Sequence, residues 1–258
     1  MCILIMVFGF IFFRMEQDAQ MQGTLPQDGS GQPNTEKPTR LPTHQLVYQR
    51  LREAVLFGEL APGEPVTIQG LIERTGAGMT PIREAIRRLT SEGALEFRGN
   101  RRVLVPMPTP EAIEELIFLR ETLEPQLAAR AAEKATKADI AALDRIDSAL
   151  DDAITRGDVV AYLRQNHAFH MKLNDIADAP ILADVAGSVW LRFGPAMRVV
   201  CGRMGTQNLP DNHKTAIQAL RDADSKTAAE AIRLDVVQGM EQLLQALKDA
   251  EGFREAID

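Results

Sequence analysis

Cysteine is nearly absent from this chain: Cys2 and Cys201 are the only two among 258 residues. No disulfide framework can hold such a fold together, which fits a reducing compartment and points to the cytoplasm. Aromatic residues are also few, at 5%. After residue 109 almost nothing alternates with the two-residue period of a strand. That excludes a sandwich or barrel and leaves helices, for which the abundant alanine is well suited. A spanning apolar run is lacking too. Cys2–Phe13 is unbroken and apolar, but a transmembrane helix needs about 20 such residues. It has neither the basic flank nor the small-residue cleavage site of a secretory signal. The expectation is that translation starts at Met15 or Met21; a membrane tether is the competing reading. Residues 16–40 are rich in Gln, Pro, Gly, Asp and Thr and are expected to form a disordered arm.

Net positive charge is also missing. The formal charge is −7, which taken alone argues against a nucleic-acid binder. The charge is unevenly placed, however. Residues 40–105 hold ten Arg and seven Glu, a net of +3, whereas residues 109–258 hold 17 basic and 25 acidic side chains, a net of −8. The first piece suits phosphates and the second would be repelled by them.

What is present in the basic piece is ordered. His44–Phe57 reads as an amphipathic helix. Thr67 is placed to cap a second, Ile68–Arg74, ended by Gly76. Residues 76–102, GAGMTPIREAIRRLTSEGALEFRGNRR, then read as turn, second helix and wing of a winged helix-turn-helix. Thr80 is expected to cap the helix and Pro81 to open it. Ile82, Ala85, Ile86 and Leu89 make one apolar stripe, and Arg83 and Arg87 stack on another face with Arg88 beside them. Gly93 ends the helix. Leu95, Phe97, Val103 and Val105 alternate about a turn at Gly99-Asn100, edged by Arg98, Arg101 and Arg102. Exposed arginines on such a helix suit guanine edges and phosphates in the major groove, and a basic wing suits the minor groove. A solvated helix face with a surface hairpin is the plain alternative.

TPIREAIRRLTSEGAL followed by RGNRR resembles the signature of the GntR family of bacterial transcription regulators, usually close to S-R-T-P-V-R-E-A-L-R-R-L-x-x-x-G-L and then P-N-R-G. The resemblance runs from about Gln45 to Val105. It implies DNA contact by Arg83 and Arg87, and Thr80, Arg88, Arg101 and Arg102 on the same helix and wing are the further candidate DNA contacts. Two positions depart from it: Gly78-Met79 stands where Ser-Arg is usual, and Arg102 where the wing has glycine. An operator unlike that of typical members is the implication.

Pro106-Met107-Pro108 marks a junction, giving three expected segments: a tail over 1–39, a DNA-binding domain over 40–106 and an all-α domain over 107–253. Helices are expected at about 109–135, 137–156, 158–177, 180–204, 210–222 and 225–250, with Cys201–Pro210 as a loop. The fold class is mainly α: a winged helix-turn-helix followed by a helical bundle. Leu119-Arg120-Glu121, Leu123-Glu124 and Ala131-Ala132 resemble the opening of the FCD type of C-terminal domain in FadR-like members of the same family, as do AYLRQNHAFHMKL and VWLRFGP. The resemblance implies dimerisation and effector control.

Asn166 and His170 are four apart on one helical face, and His213 and Asp235 fall on two later helices. FCD domains commonly carry Asp, His, His and His at the matching positions. The resemblance therefore implies a divalent metal, zinc, nickel or manganese, held by Asn166, His170, His213 and Asp235. A buried His–Asp hydrogen bond is the plain alternative. His167 is expected to face away as polar surface or support. Arg120 and Arg192 are candidates to grip an effector carboxylate. Trp190, Phe193 and Met197 are expected in the core. The expected protein is a homodimeric repressor, reading a palindromic double-stranded operator and released by a small carboxylate, with no membrane association and no catalytic residues. A metal-dependent enzyme with a fused DNA-binding head is the alternative.

Overall fold

Capping chemistry sets most of the helix boundaries. A computed structural model describes residues 43–99, 102–204 and 212–255. The apolar run 2–13, the arm at 16–40 and Arg101 lie outside the described residues. Among the described residues, the N-terminal part contains α1 (Thr43–Leu56), β1 (Pro65–Val66), α2 (Ile68–Thr75), α3 (Met79–Ser91), β2 (Glu96–Arg98) and β3 (Arg102–Leu104). The Thr67 hydroxyl accepts from the Gly70 amide at 3.0 Å and Gly76 closes α2 at φ 68°, as the sequence predicts.

The second helix departs from expectation at its start. Gly78 is the N-cap, without a side-chain bond, so Thr80 lies inside α3 and caps nothing. First-turn N–H groups have no partner within a helix, so proline is tolerated anywhere in that turn and the helix extends back over Met79. Gly93, at φ 75°, turns the chain out of α3 in a conformation that a side chain would strain. The wing is a three-stranded antiparallel sheet in the order β1-β3-β2, with Phe97 opposite Val103 and Arg98 opposite Arg102. Leu95, Val103 and Val105 are buried, but Phe97 is 58% exposed. β2 is the edge strand, so Phe97 stays open while its partner Val103 in the central strand is covered.

Beyond the junction come α4 (Pro110–Lys134), α5 (Lys137–Arg156), α6 (Val159–Ala177), α7 (Pro180–Met204), α8 (Asn212–Arg221) and α9 (Ser225–Glu255). Thr109, Thr136 and Asp158 each cap the helix they precede, Thr136 in a full capping box with Asp139. The expected loop from Cys201 begins later, because α7 runs on through Met204. Helix α4 lies against α6, α7 and α9, and α8 closes on α5, α9 and α4. None of the described helices is long and apolar enough to cross a membrane.

The head and the bundle meet through α1. Arg52 donates to the Gly187 carbonyl at 3.1 Å and Arg164 pairs with Glu59 at 3.0 Å. Gly194 of α7 has no room for a side chain: a Cβ there would stand 2.6 Å from the Leu56 carbonyl oxygen. That close approach places the end of α1 beside the bundle's interior.

Candidate functional site

Helix α6 carries His170, α8 carries His213 in its first turn, and α9 carries Asp235. Packing of the three brings one donor atom from each within 4.8 Å of the others. His170 Nε2 lies 3.1 Å from Asp235 Oδ2, and His213 Nε2 lies 3.6 Å from Oδ1 of the same carboxylate. Both imidazoles are buried, while Asp235 is partly open.

The opposite nitrogen of each ring meets another carboxylate. His170 Nδ1 is 2.7 Å from Glu124 Oε2, and His213 Nδ1 is 3.3 Å from Asp147 Oδ1. Glu124 and Asp147 are both buried. Glu124 is held in turn by Arg120, whose Nη2 donates to Oε2 at 3.1 Å and whose guanidinium lies 4.4 Å from the Trp190 ring and 4.5 Å from Phe193. Asp147 also faces Lys214 at 3.9 Å. Phe169 stacks on His213 at 3.8 Å, which fixes that ring's plane.

Charge in this dry setting is strongly coupled. Burial would push the Glu124 carboxyl up, but the Arg120 guanidinium and the His170 ring outweigh it and hold Glu124 at about 2. Burial would push His170 down, but Glu124 and Asp235 outweigh it and raise it to about 9. Asp235 is likewise held well below the carboxylate range against its burial by the two histidines.

The residues fit a divalent ion. Each Nδ1 is committed to a carboxylate, so each Nε2 is turned to a common point, the arrangement by which outer carboxylates orient metal-binding imidazoles. His213 Nε2 is buried with no hydrogen-bond partner. A buried nitrogen with nothing to bond is costly, and a metal ion is the partner its lone pair suits.

Asn166 lies one turn before His170 and lines a narrow gap with Leu56, Phe57 and Met197. Arg192 is exposed, and its guanidinium packs on Gly93 at the end of α3, apart from the Arg120 cluster. His167 is not surface: its ring sits edge-on between Phe57 at 5.6 Å and Trp190 at 5.2 Å, and burial, with Arg52's charge, lowers it to about 4. Trp190, Phe193 and Met197 are core. Glu124 and Asp147 were not singled out from the sequence. Their signal is a charged residue standing on an apolar stripe: Ile113, Leu116, Arg120, Glu124, Leu127 on α4 and Leu143, Asp147, Leu150 on α5.

On α3 the three arginines separate. Arg83 is exposed and, among the described residues, carries no ion pair. Arg87 is exposed and held by Glu84 at 2.7 Å. Arg88 is exposed as well, bonding Glu92 at 3.0 Å and lying 3.7 Å over the Tyr48 ring. Tyr48 in turn donates to Glu92 at 2.7 Å. In the wing Arg98 pairs with Glu96 and Arg102 is exposed.

A winged helix with a basic reading face, joined to an acidic helical bundle, is the build of a DNA-binding transcription regulator. Residues 43–105 match the bacterial regulatory proteins of the gntR family, and residues 115–238 match the FCD domain. The chain belongs to the GntR family, with an FCD-type C-terminal domain. It is 27% identical over 197 residues to the HTH-type transcriptional regulator McbR of Escherichia coli, covering 75% of this chain and 89% of McbR. It is also 27% identical over 143 residues to the HTH-type transcriptional repressor RspR of the same organism, covering 55% of this chain and 63% of RspR. The solved structure of E. coli McbR/YncC matches with a TM-score of 0.73 at 24% identity, covering 82% of this chain and 100% of that one.

Proposed function

We propose that this regulator is a homodimeric repressor whose bundle holds a divalent metal and releases its operator when a small organic acid binds there. The observation that carries the reading is the pair of buried imidazoles presenting Nε2 to one carboxylate while Glu124 and Asp147 hold each Nδ1. His170, His213 and Asp235 would hold the ion, with Asn166 the expected fourth donor. Two imidazoles and a carboxylate suit zinc, nickel or manganese. When bound, the ion would act as a Lewis acid on which a carboxylate or hydroxycarboxylate effector settles.

The chain's own residues do the remainder. Glu124 and Asp147 keep both rings in the Nδ1–H tautomer, and Arg120 keeps Glu124 ionised. Because Glu124 already occupies Arg120, the effector's carboxylate is read at the metal and Arg120 acts as a positioning residue. At the other end, α3 enters the major groove with Thr80, Arg83 and Arg87, while Arg101 and Arg102 reach the backbone or minor groove from the wing. Two copies read a palindrome about their two-fold axis. An effector changes DNA affinity only by binding one arrangement of the heads better than another.

The test is elemental analysis of protein purified without a histidine tag. The expected result is close to one metal per chain, lost in Asp235→Ala, His213→Ala protein, with operator release by chelating carboxylates in the loaded protein alone. Equal metal content in the two proteins overturns the metal reading.

A further inference from the structure

The exposed face of α3 contains one residue that does not belong on a solvated surface. Ile82, Ala85, Ile86 and Leu89 point inward and are buried. Met79, Arg83 and Arg87 follow one another at four-residue intervals on the opposite side, with Thr80 beside them. All of these are exposed, and every one except Met79 is polar. Met79 is 51% exposed.

Its position is the one from which a base edge is most easily reached. Met79 is the first residue of α3, and side chains in a helix lean toward its N-terminus. The residue before it, the N-cap Gly78, has no side chain, and among the described residues a Cβ built there meets only Pro81 at 4.0 Å. Recognition helices address the major groove with their N-terminal residues. The groove offers one apolar group, the 5-methyl of thymine, and flexible, polarisable methionine is suited to pack on it. The free guanidinium of Arg83, one turn on along the same stripe, suits the O6 and N7 of a guanine.

We propose that Met79 is the apolar base reader of the recognition helix and takes the 5-methyl group of a thymine in each operator half-site. This rests on the assignment of α3 as the DNA-reading helix, and the experiment separates the two ideas.

The full-length protein is first used to select its preferred sites from random duplex DNA. Each thymine of the selected site is then replaced, one at a time, by uracil, which removes the methyl group and leaves the hydrogen-bonding edge unchanged. Burial of one methyl or methylene is worth about 0.8 kcal/mol, so wild-type protein is expected to lose about four-fold in affinity at one thymine per half-site. Met79→Ala protein is expected to bind the thymine duplex more weakly by a similar factor and to be indifferent to the same uracil. Met79→Gln, which keeps the length and removes the apolar tip, is expected to lose the thymine preference in a repeated selection. The residue is exposed, so far-ultraviolet circular dichroism and the unfolding midpoint of both variants should match wild type. Uniform indifference of wild-type protein to uracil overturns the proposal, as does a Met79→Ala protein that keeps full sensitivity. If Arg83→Ala, Arg87→Ala protein still selects the same site, α3 is not the reading helix and both ideas fall. If that protein loses selectivity while Met79→Ala behaves as wild type, only the role of Met79 falls.

Discussion

Nδ1 of His170 stands 2.7 Å from Oε2 of Glu124, with both side chains buried. The carboxylate dictates which nitrogen of the ring carries the proton and so which nitrogen is left to accept a metal. Removing its charge while keeping its shape should therefore weaken the site without touching a ligand. Glu124→Gln is expected to lower metal affinity by about 10- to 100-fold in a competition titration against a chromophoric chelator. Asp147→Asn should act in the same direction through His213.

Arg120 separates positioning from effector capture. Replacing it by leucine leaves Glu124 buried without its cation, and breaking such a buried pair typically costs about 3–5 kcal/mol. Arg120→Leu is expected to lower the unfolding midpoint in denaturant with no effector present. The double variant Arg120→Leu, Glu124→Leu should recover much of the loss. A residue that only grips effector would leave the unliganded protein's stability unchanged.

The buried histidine gives the metal-free protein a defined pH response. His170 stands at about 9 in the fold against 6.5 ordinarily. Its contribution is therefore full below pH 6.5 and lost as pH rises through about 9. Glu124 stands at about 2 against 4.5, so its contribution is present above pH 4.5 and lost as pH falls through about 2. In chelator-treated protein, the stability difference between wild type and His170→Asn should shrink steadily from pH 6.5 to 9. Metal uptake runs the other way: it requires the deprotonated ring, so affinity should rise over the same interval.

The three arginines of α3 should not behave alike. Arg83→Ala is expected to reduce operator binding by about ten- to a hundred-fold, as for loss of a bidentate base contact, with little change in stability. Arg87→Ala should have a smaller effect, since Glu84 already holds the guanidinium. Arg88→Ala should leave base preference intact and lower the thermal midpoint, because it removes the cation stacked on Tyr48 and the bond to Glu92. Fluorescence anisotropy with a labelled operator, run beside thermal melts, distinguishes the three.

Gly194 should tolerate no side chain. A Cβ 2.6 Å from the Leu56 carbonyl oxygen must push α1 away from α7. Gly194→Ala is expected to cost about 1–3 kcal/mol, as overpacking typically does. Proteolysis near residues 58–64 should accelerate, while metal content stays unchanged.

Much of this molecule is legible in its sequence, and the reasons are local. Thr67 announces its helix because a cap is a short-range hydrogen bond between neighbours in the chain. His170, His213 and Asp235 were legible through spacing and family resemblance together. Glu124 and Asp147 were missed because Arg120 and Glu124, four apart, read equally as an ordinary surface pair; only the surrounding helices show that they are dry. Sequence alone leaves His167 open between polar surface and support, because its neighbour Phe57 is more than a hundred residues away in sequence, on the head. The capping role assigned to Thr80 failed where a glycine cap and a tolerant first turn let the helix begin earlier.

Trp190 is the only tryptophan in the chain. Its ring lies 4.4 Å from the Arg120 guanidinium, 5.0 Å from His170 and 5.2 Å from His167, which itself meets Phe57 just after α1. One indole is thus the natural lamp of the whole switch. Its emission, excited selectively at the red edge of absorption, is expected to respond to an ion at His170 and to a change in head placement at His167 in unlabelled protein, which a titration of the loaded protein checks. The single tryptophan gives titrations of metal, acid or DNA one optical address in this chain.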